Sequence, residues 1–324
     1  SKQSFLSLVA SDLLKKFGKN LNRVTVVFPN KRASLFFNEY LAKEAGKPIW
    51  SPAYLTISEL FRSLSTSEIA DSVKLVCLLY KVYREVTHSN ETLDDFYFWG
   101  ELLISDFDDA DKNMADTHSL FSNLQDLKNL MNDLTYMDKE QEEAIQQFFH
   151  NFSIERRTAL KERFIYLWDV LGEIYTGFKN RLDEEEIAYE GMLYRKVMET
   201  FDLSSLPYDT YVFVGFNVLN KVERELFARL RDANKALFYW DYDTYYTQGD
   251  TQEAGYFMRK NLKRFPGVFG KEMFDNLRTE KQITVVETVN DSTAVRYIPQ
   301  WLNENLTEEE IDTAIVLCDE TMLE

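Results

Sequence analysis

Glycine and proline are scarce in this chain, 11 and 6 in 324 residues. That excludes collagen-like and low-complexity classes and favours long helices over a many-turned β-sandwich. No proline occurs between Pro52 and Pro207. Only two cysteines are present, Cys77 and Cys318, far apart and in unlike contexts. A disulfide framework is not expected, and a reducing, cytoplasmic compartment is. The three histidines, His88, His118 and His150, are isolated from one another. A zinc site and a His-based catalytic triad are therefore not expected. No apolar run approaches the length of a membrane span, so no membrane partner is expected. Ser1-Lys2-Gln3-Ser4 is not followed by a signal-peptide core. There is no initiating Met, and Thr321-Met322-Leu323-Glu324 closes the chain straight after an apolar run. A piece of a longer protein is the expectation.

What is present is ample core material. Hydrophobic residues make up 45% and aromatics 15%, which excludes intrinsic disorder. The length suggests two domains, or one large domain with an insertion. The net charge of −17 taken alone opposes nucleic-acid binding, but it averages over unlike segments. Residues 1–60 hold nine basic and four acidic side chains, residues 61–204 hold 15 and 29, and residues 205–324 hold 13 and 21. The respective charges are +5, −14 and −8. Only the first segment is basic.

The periodicity reads as an interrupted α/β domain. Residues 4–17 form an apolar-faced helix that Gly18 ends. Val24-Thr25-Val26-Val27-Phe28 is a continuous β-rich run, as expected of a strand buried on both faces in a parallel sheet. Pro29-Asn30-Lys31-Arg32 is the turn into a helix over Ala33–Ala42. Pro48–Pro52 and Tyr54–Ile57 read as short extended pieces, with Ser58 capping the next helix. From about 65 to 200 the 3.6-residue period takes over, with helices near 72–86, 92–107, 117–131, 138–150, 155–181 and 189–201. The sheet resumes at Tyr211–Val214, with the turn Gly215-Phe216-Asn217, a helix over 220–232, a strand at Ala236–Trp240 and a helix over 252–264. Ile283–Glu287, a helix over 292–304 and a strand at Ala314–Leu317 open a new unit.

Catalytic signatures fail one by one. The phosphate-loop pattern G-x-x-x-x-G-K-[ST] is absent, as is G-x-G-x-x-G, so no cradle of N–H groups is expected for a nucleotide. Strand 211–214 ends in Val214, with no carboxylate for magnesium. Glu223 and Glu225, on the following helix, read as solvated surface residues. Asp109, Asp111 and Asn113 imitate the first ligands of a calcium loop, but Met114 and Leu120 replace its glycine and its bidentate acid. An Asp-rich helix end fits better. Asp183-Glu184-Glu185-Glu186 is a solvated charge run. Asp126-Leu127-Lys128 matches the tail of a nuclease signature in the wrong, helical context. No catalytic residue and no metal ligand is assigned.

The most informative stretch is Val24–Leu41. A buried strand running into Asn30-Lys31-Arg32 and a helix places two cations and free N–H groups at a helix's positive end, suited to a phosphodiester oxygen. Equally, it is a plain strand-to-helix turn with two exposed basic residues.

The order of elements resembles a known family. Val26-Val27-Phe28-Pro29-Asn30-Lys31-Arg32-Ala33 resembles motif Ia of superfamily 1 helicases. Leu55-Thr56-Ile57-Ser58-Glu59-Leu60-Phe61 resembles their next motif, after which a helical subdomain interrupts the first RecA-like domain. Tyr211–Asn217 resembles the D-G-F segment of AddB-type helicase–nuclease subunits, with Val214 in place of the Asp. Leu237–Asp241 fits the next core strand. Val285-Val286-Glu287 and Thr313–Leu317 resemble the start of a second RecA-like domain. The whole is similar to the N-terminal region of AddB-like PD-(D/E)XK nuclease-family proteins, related to UvrD and RecB, whose nuclease domain is C-terminal.

The resemblance implies a degenerate RecA-like parallel sheet, P-loop NTPase-like, over 1–64 and 205–280. It also implies a helical insertion over 65–204 and a truncated second RecA-like domain over 281–324. It implies a non-ATPase helicase-like module in double-strand-break repair, guiding single-stranded or end-processed DNA and docking an AddA-like motor subunit. Asn30, Lys31 and Arg32, with Thr56 and Ser58 nearby, would contact DNA. Trp50, Tyr54 and Trp240 are candidate stacking aromatics, with core burial as the competing fate. No cofactor is expected for this region, magnesium and ATP belonging to other domains or partners. Two other readings stay open: an acidic protein-interaction scaffold without DNA contact, and an NTPase with a noncanonical site.

Overall fold

The computed structural model describes residues 4–121, 158–249, 251–270, 275–305, 313–319 and 322. The expected helix 138–150, most of 117–131 and Asp126-Leu127-Lys128 lie outside them. Residues 1–275 form one compact unit and residues 276–324 another.

The first unit is built on a four-stranded, wholly parallel sheet. Its strands are β1 (Val24–Phe28), β2 (Ala53–Thr56), β5 (Thr210–Val214) and β6 (Ala236–Tyr239), in the order β2-β1-β5-β6. The chain leaves the central β1 in one direction, to β2, and returns on its other side at β5. The α/β class and parallel sheet read from the sequence are present. β1 is buried at every position because helices cover both faces. Val24, Val26 and Phe28 face α1 (Phe5–Phe17) and α2 (Lys31–Ala45), packing with Val9, Leu13, Phe37 and Leu41. Val27 faces the opposite core. Gly18, at φ 65°, ends α1 in a conformation that L side chains rarely adopt.

Between β2 and β5 the chain makes a helical block. It comprises α3 (Ile57–Ser63), α4 (Ser72–Thr87), α5 (Leu93–Lys112), α6 (Thr158–Glu184) and α7 (Glu190–Glu199). A two-stranded parallel ribbon, β3 (Glu68–Ile69) with β4 (Ile187–Ala188), clasps the start of the block to its end. Strands of two residues are too short to leave a period in the sequence. After β5, α8 (Lys221–Asp232) crosses to β6, and α9 (Thr244–Thr247) and α10 (Tyr256–Arg264) follow. The second face of the sheet and the helical block share one apolar core. Phe213 lies 3.9 Å from Phe227 between ring centroids, and Phe61 stacks on Tyr194 at 4.0 Å.

The Asp-rich end of α5 differs from expectation. It is a helix end, with Asn113 as C-cap, but Asp111 is fully buried. Its carboxylate accepts hydrogen bonds from Tyr175 Oη at 2.6 Å and Tyr189 Oη at 2.5 Å. Lys179 Nζ and Arg195 Nη1 each stand 3.2 Å away. Four donors from α6, from the residue before α7 and from α7 thus converge on one acid of α5. Burial first, then the Asp111 charge, pushes both phenols up from their ordinary pKa. Glu223 is likewise not solvated. It is half-buried and closes a capping box with Asn220 at the start of α8.

In the second unit, α11 (Asp291–Asn305) carries Pro299 in its interior. The strands expected at Ile283–Glu287 and Ala314–Leu317 do not form. Ile283, Val285 and Val316 are exposed by 78%, 88% and 82%. β-branched residues make a strand only where a neighbouring strand pairs with them, and none does so among the described residues of this unit.

Candidate nucleic-acid interface

The sequence-predicted residues gather at one place, the carboxyl edge of the sheet. Phe28 of β1 and Thr56 of β2 are register partners, so the turns that follow them are neighbours. Asn30 is the N-cap of α2, its Oδ1 accepting from the Ala33 amide at 3.2 Å. Lys31 and Arg32 therefore fall inside the first turn of a 15-residue helix rather than before it. Both side chains are exposed. The helix's positive end supports an anion there.

Lys31 is not a free cation. Its Nζ lies 3.1 Å from Glu59 Oε1, tying the start of α2 to the first turn of α3. The Thr56 amide, and with it Lys31, holds the Glu59 carboxyl below the usual carboxylate range, against the opposing effect of burial. Thr56, not Ser58, caps α3. Its Oγ1 accepts from the Glu59 amide at 3.1 Å, and Glu59 Oε2 accepts from the Thr56 amide at 2.8 Å. The pattern T-x-x-E is a capping box, and it commits the Thr56 hydroxyl to the helix. Ser58 sits two residues past the cap, its Oγ buried beside the Tyr194 phenol without a well-formed hydrogen bond. Of the five residues, Asn30, Lys31 and Arg32 face solvent, whereas Thr56 and Ser58 are turned to structural use.

The aromatics part company. Trp240 is core: it stacks on Phe238, and its Nε1 donates to the Phe265 carbonyl at 2.8 Å. Tyr54 is half-buried on β2, its hydroxyl donating to Asn38 Oδ1 at 3.0 Å. Trp50 is 72% exposed, but it bridges to Asn20 ahead of both strands, at the amino edge of the sheet.

A cleft of about 380 Å³ opens on the same carboxyl edge. It lies where β1 and β5 end side by side, at Phe28-Pro29-Asn30 and Val214-Gly215. Strand order reverses between those two strands, the position at which open α/β sheets hold ligands. Gly215, at φ 74°, is itself part of the lining. Asp241, just beyond β6, is the one acid on its lining, and burial raises its carboxyl pKa. In the sequence Asp241 merely closes a core-strand motif and carries no assigned role. It is the first charged residue after the apolar run 236–240, which is the signal that could have singled it out. Among the described residues no group of three or more His, Cys, Asp or Glu is placed to hold a metal ion. No helix among them is long and apolar enough to cross a membrane.

No protein-family model matches this chain. No curated protein matches it significantly either.

Proposed function

We propose that this chain is a helicase-like module without ATPase chemistry of its own, of the AddB type, that guides single-stranded DNA within an end-processing repair complex. Its sheet is then a degenerate RecA-like core, its helical block the insertion of the first motor domain, and an AddA-like subunit the motor it serves. The observation that carries this reading is the position of Lys31 and Arg32. They stand in the first turn of α2, at the carboxyl edge of the central strand and beside the switch point. Two cations and a helix's positive end meet there in the one basic segment of an acidic chain. The lack of a phosphate loop, and Val214 where a magnesium-holding acid would stand, support DNA guidance over nucleotide hydrolysis.

The test is single-strand binding by the full chain, titrated against salt. Lys31→Ala/Arg32→Ala is expected to weaken binding to any sequence alike. It should also flatten the log–log salt slope by about 1.4, roughly 0.7 for each phosphate no longer neutralised. Unchanged affinity with an unchanged slope would refute the DNA contact. The −14 charge of residues 61–204 favours a second reading, in which the helical block docks a basic partner protein. That reading predicts a salt-sensitive complex that the same double variant leaves intact.

A further inference from the structure

α10 carries charge opposite in sign to the chain around it. Residues 254–270 hold four basic side chains and no acid, within a segment 205–324 of net charge −8. The inner face of α10 is apolar. Met258, Leu262 and the following Phe265 join the core on the side of the sheet that α8 covers. The outer face falls to Tyr256, Phe257, Lys260, Lys263 and Arg264, at the three- and four-residue spacings of one helix surface. All five are exposed, Tyr256 by 46% and Phe257 by 42%. Lys260, Lys263 and Arg264 have no carboxylate in ion-pair contact among the described residues. Arg264 instead faces other cations. Its guanidinium and that of Arg231 stand 5.4 and 5.5 Å from the centre of the Phe265 ring. Burial first, then the Arg264 charge, lowers the pKa of Arg224. Cations gathered in this way raise the local concentration of anions.

The start of this surface is held firmly. Arg259 Nη1 donates to the Tyr246 and Gln252 carbonyls, both at 2.9 Å, and any side chain at Gly255 would collide with the Tyr246 carbonyl. α9 therefore lies directly against α10, and a rigid helix lowers the ordering cost of binding. α1 and α2 cover the other face of the sheet, so this surface is separate from Lys31 and Arg32. It is also short, nine residues spanning about 14 Å. A nucleic-acid strand would run off it onto a strongly acidic protein that repels phosphates, whereas a peptide of two or three helical turns fits within it. Exposed aromatics beside arginine and lysine suit a protein interface with an apolar centre and a charged rim. We propose that the outer face of α10 docks an acidic segment of a partner protein that also carries large apolar side chains. Its carboxylates meet Lys260, Lys263 and Arg264, and its apolar side chains cover Tyr256 and Phe257. This surface does not depend on the single-strand reading above.

The experiment follows two fluorescein-labelled sixteen-residue peptides on the full chain by fluorescence anisotropy. One repeats Asp-Glu-Phe-Leu; the other, equally charged, repeats Asp-Glu-Ser-Ser. The expected result is binding that weakens as salt rises and is several times tighter for the peptide with apolar side chains. Lys260→Glu/Lys263→Glu should weaken that peptide roughly tenfold, because each reversed charge replaces an attraction with a repulsion. Phe257→Ala should bring it down to the affinity of the serine peptide. Lys31→Ala/Arg32→Ala should change neither. Thermal melts of the variants establish that they fold. No binding of the apolar-bearing peptide, or binding that the double charge reversal leaves unchanged, would overturn the proposal. Equal binding of the two peptides would reduce the surface to an unselective anion patch and overturn it as well. Displacement of the peptide by dT15, with dT15 binding lost in Lys260→Glu/Lys263→Glu, would assign the surface to nucleic acid instead. The single-strand reading stands or falls separately, on the Lys31→Ala/Arg32→Ala titration.

Discussion

Lys31 Nζ stands 3.1 Å from Glu59 Oε1, so the first turn of α2 carries its own competitor for a phosphate. Lys31 is 83% exposed and Glu59 34%, and an exposed pair of this kind contributes only about 0–1 kcal/mol. On the single-strand reading proposed above, a phosphate would displace the carboxylate at small cost. Glu59→Gln keeps an acceptor for the Thr56 amide but removes the charge. It is expected to tighten single-strand binding about two- to threefold without loss of melting temperature. Glu59→Ala also frees Lys31 but opens the capping box, and should lower stability by about 1 kcal/mol. Titration and thermal melts of both variants check this. Tighter binding by neither variant would show that Lys31 is not the contact.

Asp111 is the electrostatic centre of the helical block. Its removal strands Lys179 and takes one partner from Arg195, which keeps Glu199 and the Ala115 carbonyl; the two side chains are 23% and 19% exposed. Asp111→Ala should cost about 3 kcal/mol, the low end for a broken buried ion pair, because both cations still reach solvent. Tyr189→Phe deletes one hydrogen bond and should cost about 1 kcal/mol. Chemical denaturation gives both numbers. A loss below about 1 kcal/mol for Asp111→Ala would mean that the network contributes no more than its replacement by water.

Asp111 and its neighbours also mark where sequence stops being informative. Val24–Phe28 is legible because a strand buried on both faces leaves an unbroken apolar run, and Gly18 and Gly46 mark helix ends at positive φ. The T-x-x-E box at Thr56 is readable too. Taking Ser58 as the cap misses it because serine is as good a cap as threonine in isolation. Asp111 is not legible as a hub. Its partners lie 64, 68, 78 and 84 residues along the chain, and only the folded block brings them to one carboxylate. The cleft is hidden for a related reason. Its lining comes from the ends of β1, β5 and β6 and the starts of α1 and α2, whose adjacency depends on strand order rather than on any local pattern.

Glu223 provides a pH test of the same core. Burial raises its carboxyl pKa above the ordinary 4.5, outweighing the Asn220 amide, Lys112 and Arg224, which act the other way, while Glu190 adds to the rise. A carboxyl with a raised folded pKa is protonated in both states below its unfolded value and costs nothing there. As pH rises through the folded value, the native state must bury a charge that the unfolded state carries in water, and stability is lost. Glu223→Gln removes that cost and keeps an acceptor for the Asn220 amide. The variant should therefore melt higher than wild type at pH 7, with the gap closing as pH falls toward 4.5. Paired melts at pH 7 and pH 5 decide it. A gap of constant size, or a variant less stable at pH 7, would mean that the capping geometry and not the buried charge governs this position.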